Sequence, residues 1–310
     1  TANIKQPVLL LALLLTAIYI RAEDGYDQWL RYKIVDDPKL LSAYRNTISG
    51  INIYADSPTL IAAKEELANG LKGLLGRTVP MQTSAQNGSI LATTASQSSL
   101  IQELIPANQL TAAGKEGFII RSVNYQGKKM IIISANNDIG VLYGSFHFLR
   151  LLQTQQPITS ININSSPAFQ LRLLNHWDNL TRYVERGYSG ISIWNWHTLP
   201  DYNDPRYKNY ARANASVGIN GVSLTNVNAS AIVLTKPYLE KCAALANIFR
   251  PYGIKVYLTA RFSAPIEIGG FKTADPFRHS ITRDDCNSGL HWYIKAIIPV
   301  YGRYPNQKTI

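Results

Sequence analysis

Strand and helix patterns alternate along residues 171–263, and this alternation constrains the fold more than any other feature. The short apolar segments Leu171–Leu174, Ile219–Leu224 and Ile254–Leu258 read as strands. Helical patterns, Pro205–Val217 and Pro237–Phe249, separate them, each with proline at its start and glycine just past its end. Strands joined by helices within one sheet run parallel with right-handed crossovers. The sequence therefore predicts a parallel α/β sheet.

Polar residues follow each of these strands at its carboxyl end. The three segments are Asn175-His176-Trp177-Asp178, Thr225-Asn226-Val227-Asn228 and Arg261-Phe262-Ser263. Repeated and closed, such units give a (β/α)8 TIM barrel, whose active site lies at the carboxyl ends of the strands. About three of the eight strands are present. An open doubly wound sheet is the alternative, although no glycine-rich phosphate loop follows any strand.

Three tryptophans lie among polar residues in this region. Trp177 stands between histidine and aspartate, and Trp194 and Trp196 follow shortly after. We expect all three near water, where a flat polar ligand needs a stacking face and hydrogen bonds. A sugar ring is such a ligand.

Residues 23–166 predict a separate, smaller α/β domain. Its strand patterns are Ile51–Tyr54, Ile90–Thr93, Phe118–Val123 and Met130–Ser134, of which the last two form a hairpin. One helix opens at Ser57-Pro58 and ends at Gly76, and Asp138 is expected to cap a second helix. The stretch Gln156–Pro167, rich in Asn, Ser and Pro, is the expected boundary with the second domain, 167–277.

Residues 1–22 have the pattern of a signal peptide. The run from Val8 to Ile20 carries no charge and is too short to span a bilayer. We therefore expect an exported protein, periplasmic or extracellular. An uncleaved membrane anchor is the alternative.

Net charge and cysteine spacing limit the kinds of partner and ligand that we expect for this chain. The formal net charge is +11, but no basic stripe with interleaved aromatic residues occurs, so nucleic acid is not an expected partner. Cys242 and Cys286 lack metal-ligand spacing, and Cys242, within an apolar helical run, is expected to be a buried thiol.

Several motifs resemble the α-glucuronidases of glycoside hydrolase family 67. The motifs are Glu23-Asp24-Gly25-Tyr26-Asp27, Trp29-Leu30-Arg31-Tyr32, Asp138–Leu152, Asn175-His176-Trp177-Asp178-Asn179, Val184-Glu185-Arg186-Gly187-Tyr188, Ser192-Ile193-Trp194-Asn195-Trp196, Asn220-Gly221, Asn226-Val227-Asn228-Ala229 and Phe262-Ser263-Ala264-Pro265. One departure is Thr181-Arg182-Tyr183, where the family usually has Asp-Gly-Ser.

The resemblance implies a fold, a reaction and partners. It implies an α/β leading domain followed by the first strands of a (β/α)8 catalytic barrel. The reaction is inverting removal of 4-O-methylglucuronic acid from xylan-derived aldouronic acid oligosaccharides, without a metal or other cofactor. A homodimer is the oligomeric state that the resemblance allows for full-length relatives.

No catalytic residue is assigned, because the family's acid and base stretches have no match here. Inversion needs two carboxyl groups, about 6.5–9.5 Å apart. The resemblance fades after Asp275-Pro276-Phe277, and residues 278–310 form a divergent or frameshifted tail. We expect the barrel to be truncated and the chain alone to be inactive. The alternatives are a non-catalytic carbohydrate-binding remnant and an enzyme that uses Asp178 and Glu185 as its acid/base pair.

The resemblance also implies substrate-binding residues. Trp177 matches the substrate-stacking tryptophan, with a core position as the alternative. Glu185 and Arg186 would bracket the uronate, because an arginine fork suits a carboxylate; a surface ion pair between them is the alternative. Asp178 and Asn179 either hydrogen-bond sugar hydroxyls or cap the following loop.

The second strand end supplies two further candidates. Val227 matches the residue that packs near the methyl ether of the uronic ring, with core packing as the alternative. Asn228, next in the same motif, is assigned to substrate binding. Near the third strand end, Glu267 is the carboxylate, and we expect that it does not contact the ligand.

Overall fold

The computed structural model describes residues 24–261 and 263–270, which form two β-sheets with helices packed against them. The helices are α1 (Pro38–Thr47), α2 (Pro58–Leu75), α3 (Ser99–Leu104), α4 (Ala107–Ala113), α5 (Asp138–Gln153), α6 (Pro205–Ser216), α7 (Lys236–Phe249) and α8 (Ala264–Gly269). The strands are β1 (Gly50–Asn52), β2 (Ser89–Thr94), β3 (Phe118–Tyr125), β4 (Lys128–Ala135), β5 (Asn162–Ser165), β6 (Leu173–Asn175), β7 (Gly221–Ser223) and β8 (Lys255–Tyr257).

The first sheet has five strands in the order β1-β2-β4-β3-β5. Strands β1, β2 and β4 are parallel, whereas β3 pairs antiparallel with both β4 and β5. Helices α2 and α5 cover one face, and α3 and α4 contribute a smaller apolar cluster to the other. The sheet is therefore buried on both faces, which matches its isoleucine-rich strands.

The ends of the elements follow the expected local chemistry, with one correction. Pro58 opens α2, Ser57 Oγ accepts a hydrogen bond from Leu60 N at 3.1 Å, and Gly76 ends the helix with φ +62°. Asp138 does not cap α5: Asn137 occupies that position, and Asp138 is the first helical residue. The reason is a tertiary contact, because the Asp138 carboxylate accepts a hydrogen bond from Ser57 Oγ at 2.5 Å.

A strand lies within the segment that the sequence presented as a boundary. Residues Asn162–Ser165 form β5, which extends the edge of the first sheet with Ile163 opposite Ile120. Asparagine, which is depleted in strands, makes up half of β5, so composition did not indicate this element. The partly buried Ile163 packs against the core, and this contact outweighs the low strand propensity of its neighbours.

The second sheet contains β6, β7 and β8, all parallel and adjacent in chain order. Leu174 pairs with Val222, which pairs with Val256. The predicted alternation of strand and helix is confirmed, although each strand is only three residues long. The chain is thus a mixed α/β protein with parallel strands in both sheets.

The two sheets and their helices share one apolar core, which continues from Tyr32 to Ala264. At their interface, Glu66 is 2 % exposed, accepts a hydrogen bond from Tyr32 Oη at 2.8 Å, and forms an ion pair with Arg212 of α6. Burial, followed by the Glu66 charge, raises the pKa of the Tyr32 hydroxyl far above its ordinary value. Trp29 Nε1 also donates to Ser216 Oγ at 2.6 Å. The part of the chain that contains the first sheet is therefore joined to α6, a helix that connects strands of the second sheet.

Within residues 24–261 and 263–270, no helix is long and apolar enough to cross a membrane. The expected signal peptide at 1–22, the tail at 278–310 and Cys286 lie outside the described residues. The domain boundaries at 23–166 and 167–277 stay predictions.

Candidate functional site

The carboxyl ends of the three parallel strands meet at one edge of the second sheet. Asn226 N, after β7, donates to Asp178 O, after β6, at 3.0 Å. Thr259 Oγ1, after β8, donates to Asn226 O at 3.1 Å. We call residues 176–179, 225–228 and 259–261, together with the loop 180–192 and with Glu267, which pairs with Arg261, the carboxyl edge. It is the region in which sequence reasoning expected a ligand.

The loop 180–192 folds back over the end of β6. Two antiparallel bridges, Asp178 with Val184 and Tyr183 with Ile191, hold its shape. Arg182 and Glu185 adopt left-handed backbone conformations, with φ +73° and +51°. Residues other than glycine rarely do so, and such strain concentrates at functional sites. The loop therefore covers the end of β6 in a strained conformation that the two bridges stabilise.

Trp177 and Val227 are exposed apolar side chains that follow β6 and β7 directly. They are 52 % and 58 % exposed, respectively. Neither residue belongs to the buried core. An aromatic face and a branched aliphatic group available to solvent can cover the C–H faces of a sugar ring. Their contact with a ligand stays a prediction.

Glu185 and Arg186 do not form the surface ion pair that was the alternative to ligand binding. Glu185 is half-buried, and its Oε2 lies 3.4 Å from Asn226 Nδ2. Arg186 is exposed and forms no ion pair with any residue in 24–261 or 263–270. Its guanidinium is available to an external carboxylate.

Asp178 and Asn179 hold the loop. Asp178 is 3 % exposed, and its carboxylate accepts a hydrogen bond from Ser192 Oγ, with His176 Nδ1 3.6 Å from Oδ1. Asn179 Nδ2 donates to Glu185 O at 2.6 Å. Of the two roles expected for each residue, the structure contains the loop-holding one; a contact with sugar hydroxyls stays a prediction.

Asn228 is exposed beside Val227, and its hydrogen bonds with other described residues all use its backbone. Its N–H donates to Asn226 Oδ1 at 2.5 Å, and its carbonyl oxygen accepts from Arg261 Nη1 at 3.2 Å. The side chain therefore remains available to a ligand, as its assignment to substrate binding requires.

The expectation that Trp194 and Trp196 lie near water is wrong. They are 0 % and 1 % exposed and belong to the core between the second sheet and its helices. Trp194 packs against Tyr207, Tyr210 and Phe249. These side chains come from α6 and α7, so helix packing, invisible from the local sequence, buries the indole rings. Neither tryptophan can stack on a ligand.

Sequence reasoning missed the support behind Trp177. His176 Nε2 lies 2.7 Å from Tyr210 Oη, and its ring packs against Trp194. Burial, followed by the charge of Asp178, raises the pKa of the Tyr210 hydroxyl well above its ordinary value. The hydroxyl therefore stays protonated. Only the spacing of Tyr207 and Tyr210 on one face of α6 could have indicated this cluster.

The carboxylates of this edge are already engaged. Glu267, near the third strand end, pairs with Arg261 and accepts from Ser263 Oγ, and the Arg261 hydrogen bond lowers its pKa. Asp178 is buried with Ser192, and Glu185 faces an amide. Among the described residues, no group of three or more His, Cys, Asp or Glu side chains could hold a metal ion. The arrangement suits binding of a polar ring that carries a carboxylate.

Comparison with known families agrees with this fold. The chain matches the glycosyl hydrolase family 67 N-terminus over residues 28–148 and the glycosyl hydrolase family 67 middle domain over residues 151–306. The chain therefore belongs to glycosyl hydrolase family 67. The resemblance read from the motifs is confirmed, and the match continues past Phe277, where the motifs fade.

Individual relatives carry a consistent name. Over 290 residues the chain is 33 % identical to a probable alpha-glucuronidase A of Aspergillus oryzae, covering 92 % of this chain and 33 % of the relative. It is 32 % identical to alpha-glucuronidase A of Emericella nidulans, covering 95 % of this chain and 34 % of the relative. The chain spans about one third of the length of these relatives.

A solved structure shares the fold. It is a GH138 enzyme targeting pectin rhamnogalacturonan II, with a TM-score of 0.51 and 18 % sequence identity, covering 82 % of this chain and 37 % of that chain. At this identity the likeness concerns the fold alone.

Proposed function

We propose that this chain is the leading part of an α-glucuronidase, and that its carboxyl edge binds the uronic ring of the substrate. The observation that carries the proposal is the combination of an exposed Trp177 ring with the ion-pair-free guanidinium of Arg186. A pyranose covers an aromatic face with its C–H groups, and a planar fork matches a carboxylate.

The proposed architecture is the opening of a (β/α)8 barrel. Three parallel strands follow one another without a reversal of order among the described residues, whereas a doubly wound sheet reverses at a switch point. The ligand groups lie at the carboxyl ends of the strands, where barrels carry their sites. The further strands of the barrel would pair with the open edges of β6 and β8.

The proposed reaction is inverting hydrolysis of 4-O-methylglucuronic acid from xylan-derived oligosaccharides. An inverting enzyme needs one carboxylic acid to protonate the leaving oxygen and one carboxylate to activate water. At this edge Asp178, Glu185 and Glu267 are all engaged within the protein, which argues against Asp178 and Glu185 as such a pair. The 310-residue chain is therefore expected to bind the sugar without cleaving it.

The test compares two proteins on aldouronic acids. One is the 310-residue chain, and the other is a fusion that supplies the remaining two thirds from the Aspergillus oryzae relative. The proposal expects free 4-O-methylglucuronic acid, released as the β-anomer, from the fusion alone. Release by the 310-residue chain at the rate of the fusion would contradict the proposal and favour the alternative in which Asp178 and Glu185 are the acid/base pair.

A second candidate is a non-catalytic carbohydrate-binding protein, favoured by the engaged carboxylates. It predicts uronic acid binding by the 310-residue chain and no hydrolysis by the fusion. Export is a further proposal, based on the charge-free run Val8–Ile20. Amino-terminal sequencing of the mature protein tests cleavage: a chain that begins near Glu23 agrees with a removed signal peptide, and an intact residue 1 favours the uncleaved membrane anchor.

A further inference from the structure

Asn226, to which sequence reasoning gave no role, lies at the centre of the carboxyl edge. The residue is 5 % exposed. Its Nδ2 lies 3.2 Å from Asn179 Oδ1 and 3.4 Å from Glu185 Oε2, and its Oδ1 accepts from Asn228 N at 2.5 Å. An amide offers donors at one end and an acceptor at the other, and here both ends are used.

The backbone of Asn226 joins the same three strand ends. Its N–H donates to Asp178 O at 3.0 Å, and its carbonyl oxygen accepts from Thr259 Oγ1 at 3.1 Å. One buried residue after β7 therefore contacts the segments that follow β6 and β8.

Glu185 is the residue of the loop 180–192 whose carboxylate this amide contacts, at 3.4 Å. Its backbone is left-handed, with φ +51°. Its N–H donates to Trp177 O at 2.8 Å, its carbonyl oxygen accepts from Asn179 Nδ2 at 2.6 Å, and its carboxylate faces Asn226. A strained conformation persists where its surroundings over-determine it, and such residues cluster at ligand sites.

We propose that Asn226 is a positioning residue: its amide fixes the carboxylate of Glu185 and the loop 180–192 so that Glu185, Arg186 and Trp177 face one ligand. The inference rests on the proposed function of this edge as a uronic acid site. The chemistry of the side chain carries it, because only a donor at the position of Nδ2 satisfies both Asn179 Oδ1 and Glu185 Oε2. An aspartate there would present an acceptor to both.

The test uses Asn226→Asp, which keeps the shape and exchanges donor for acceptor. A matched control exists at the amino-terminal end of the same strand, β7. Asn220 is also 5 % exposed, and its Nδ2 also faces a carboxylate, at 3.2 Å and 3.1 Å from Glu116 Oε1 and Oε2. Asn220→Asp therefore makes the same chemical change beside β7, away from the carboxyl edge.

Two measurements are made on the full 310-residue chain. Amide hydrogen exchange without ligand follows the N–H of Glu185, and titration with D-glucuronic acid follows affinity. We expect Asn226→Asp to speed exchange at Glu185 at least about tenfold and to weaken binding of D-glucuronic acid by a similar factor. Asn220→Asp should leave both unchanged at a comparable loss of thermal stability.

Unchanged exchange at Glu185 in Asn226→Asp would overturn the positioning role, whether or not the sugar binds. Equal effects of both variants on exchange would overturn it too, since the cause would then be general destabilisation. Absence of D-glucuronic acid binding by the unaltered chain would instead count against the proposed function, and the exchange result would still decide the role of Asn226.

Discussion

Tyr210 Oη lies 2.7 Å from His176 Nε2, immediately behind the strand end that carries Trp177. The pair connects α6 to the first segment of the carboxyl edge. We predict that Tyr210→Phe lowers the free energy of unfolding by about 1–2 kcal/mol, because it leaves a half-buried imidazole nitrogen without its partner.

Urea unfolding measures this loss. Tyr238→Phe is the control, because the Tyr238 ring packs against Trp196 and its hydroxyl forms no hydrogen bond with any residue in 24–261 or 263–270. Both variants keep the aromatic ring and remove only the hydroxyl, so equal losses would mean that the Tyr210–His176 hydrogen bond does not stabilise this region.

The ion pair between Arg212 and Glu66 holds the leading part against α6. Arg212→Ala should lower the free energy of unfolding by about 3 kcal/mol, because the carboxylate of Glu66 stays buried without a counter-charge. Lys208→Ala, one turn earlier on α6, removes an exposed pair with Glu65 and should cost less than about 1 kcal/mol. Chemical denaturation compares them; similar losses would contradict a structural role for the buried pair.

Two tryptophans should respond in opposite ways to truncation. Trp177→Ala should leave stability nearly unchanged and weaken D-glucuronic acid binding by roughly tenfold to a hundredfold, the effect of about 1–3 kcal/mol of lost contact. Trp194→Ala should cost about 3–5 kcal/mol of stability, because it empties a fully buried site. Calorimetric titration and thermal unfolding of both variants test the pair. A large stability loss in Trp177→Ala would assign that ring to the core.

Cys242 should resist alkylation in the folded protein. Burial raises the pKa of its thiol to about 12, and the thiolate is the reactive form. Because the folded pKa lies above the ordinary one, the stability that the neutral thiol contributes is complete below about pH 9 and is lost as pH rises towards 12. Peptide mapping after iodoacetamide treatment at pH 8 should find Cys242 unmodified, and modified only in urea. Rapid modification without denaturant would contradict its burial.

Local sequence chemistry accounts for much of the fold. Proline and glycine marked the ends of α2, α6 and α7, and apolar runs marked both sets of strands. Composition failed at β5, where Ile163 packs against the core despite flanking asparagines. The capping pattern was wrong at Asp138, whose carboxylate accepts a hydrogen bond from Ser57 in a distant segment. Both errors arise from tertiary contacts that no local pattern encodes.

The candidate site was predicted less completely. Trp177 and Arg186 came from motifs, and the structure leaves both accessible. Trp194 was misjudged because side chains of α6 and α7 bury it. Asn226 received no role from the sequence, because its hydrogen bonds connect four segments that come together only in the folded chain.

Calorimetric binding of D-glucuronic acid and D-glucose to the chain and to Arg186→Ala tests the uronic acid site directly. Arg206→Ala, which removes another exposed arginine from the start of α6, controls for net charge. We predict that the unaltered chain and Arg206→Ala prefer the uronic acid, and that Arg186→Ala loses this preference by about tenfold or more while its glucose affinity is unchanged. Equal losses for both sugars in Arg186→Ala, or no preference in the unaltered chain, would contradict a uronic acid site at the carboxyl edge.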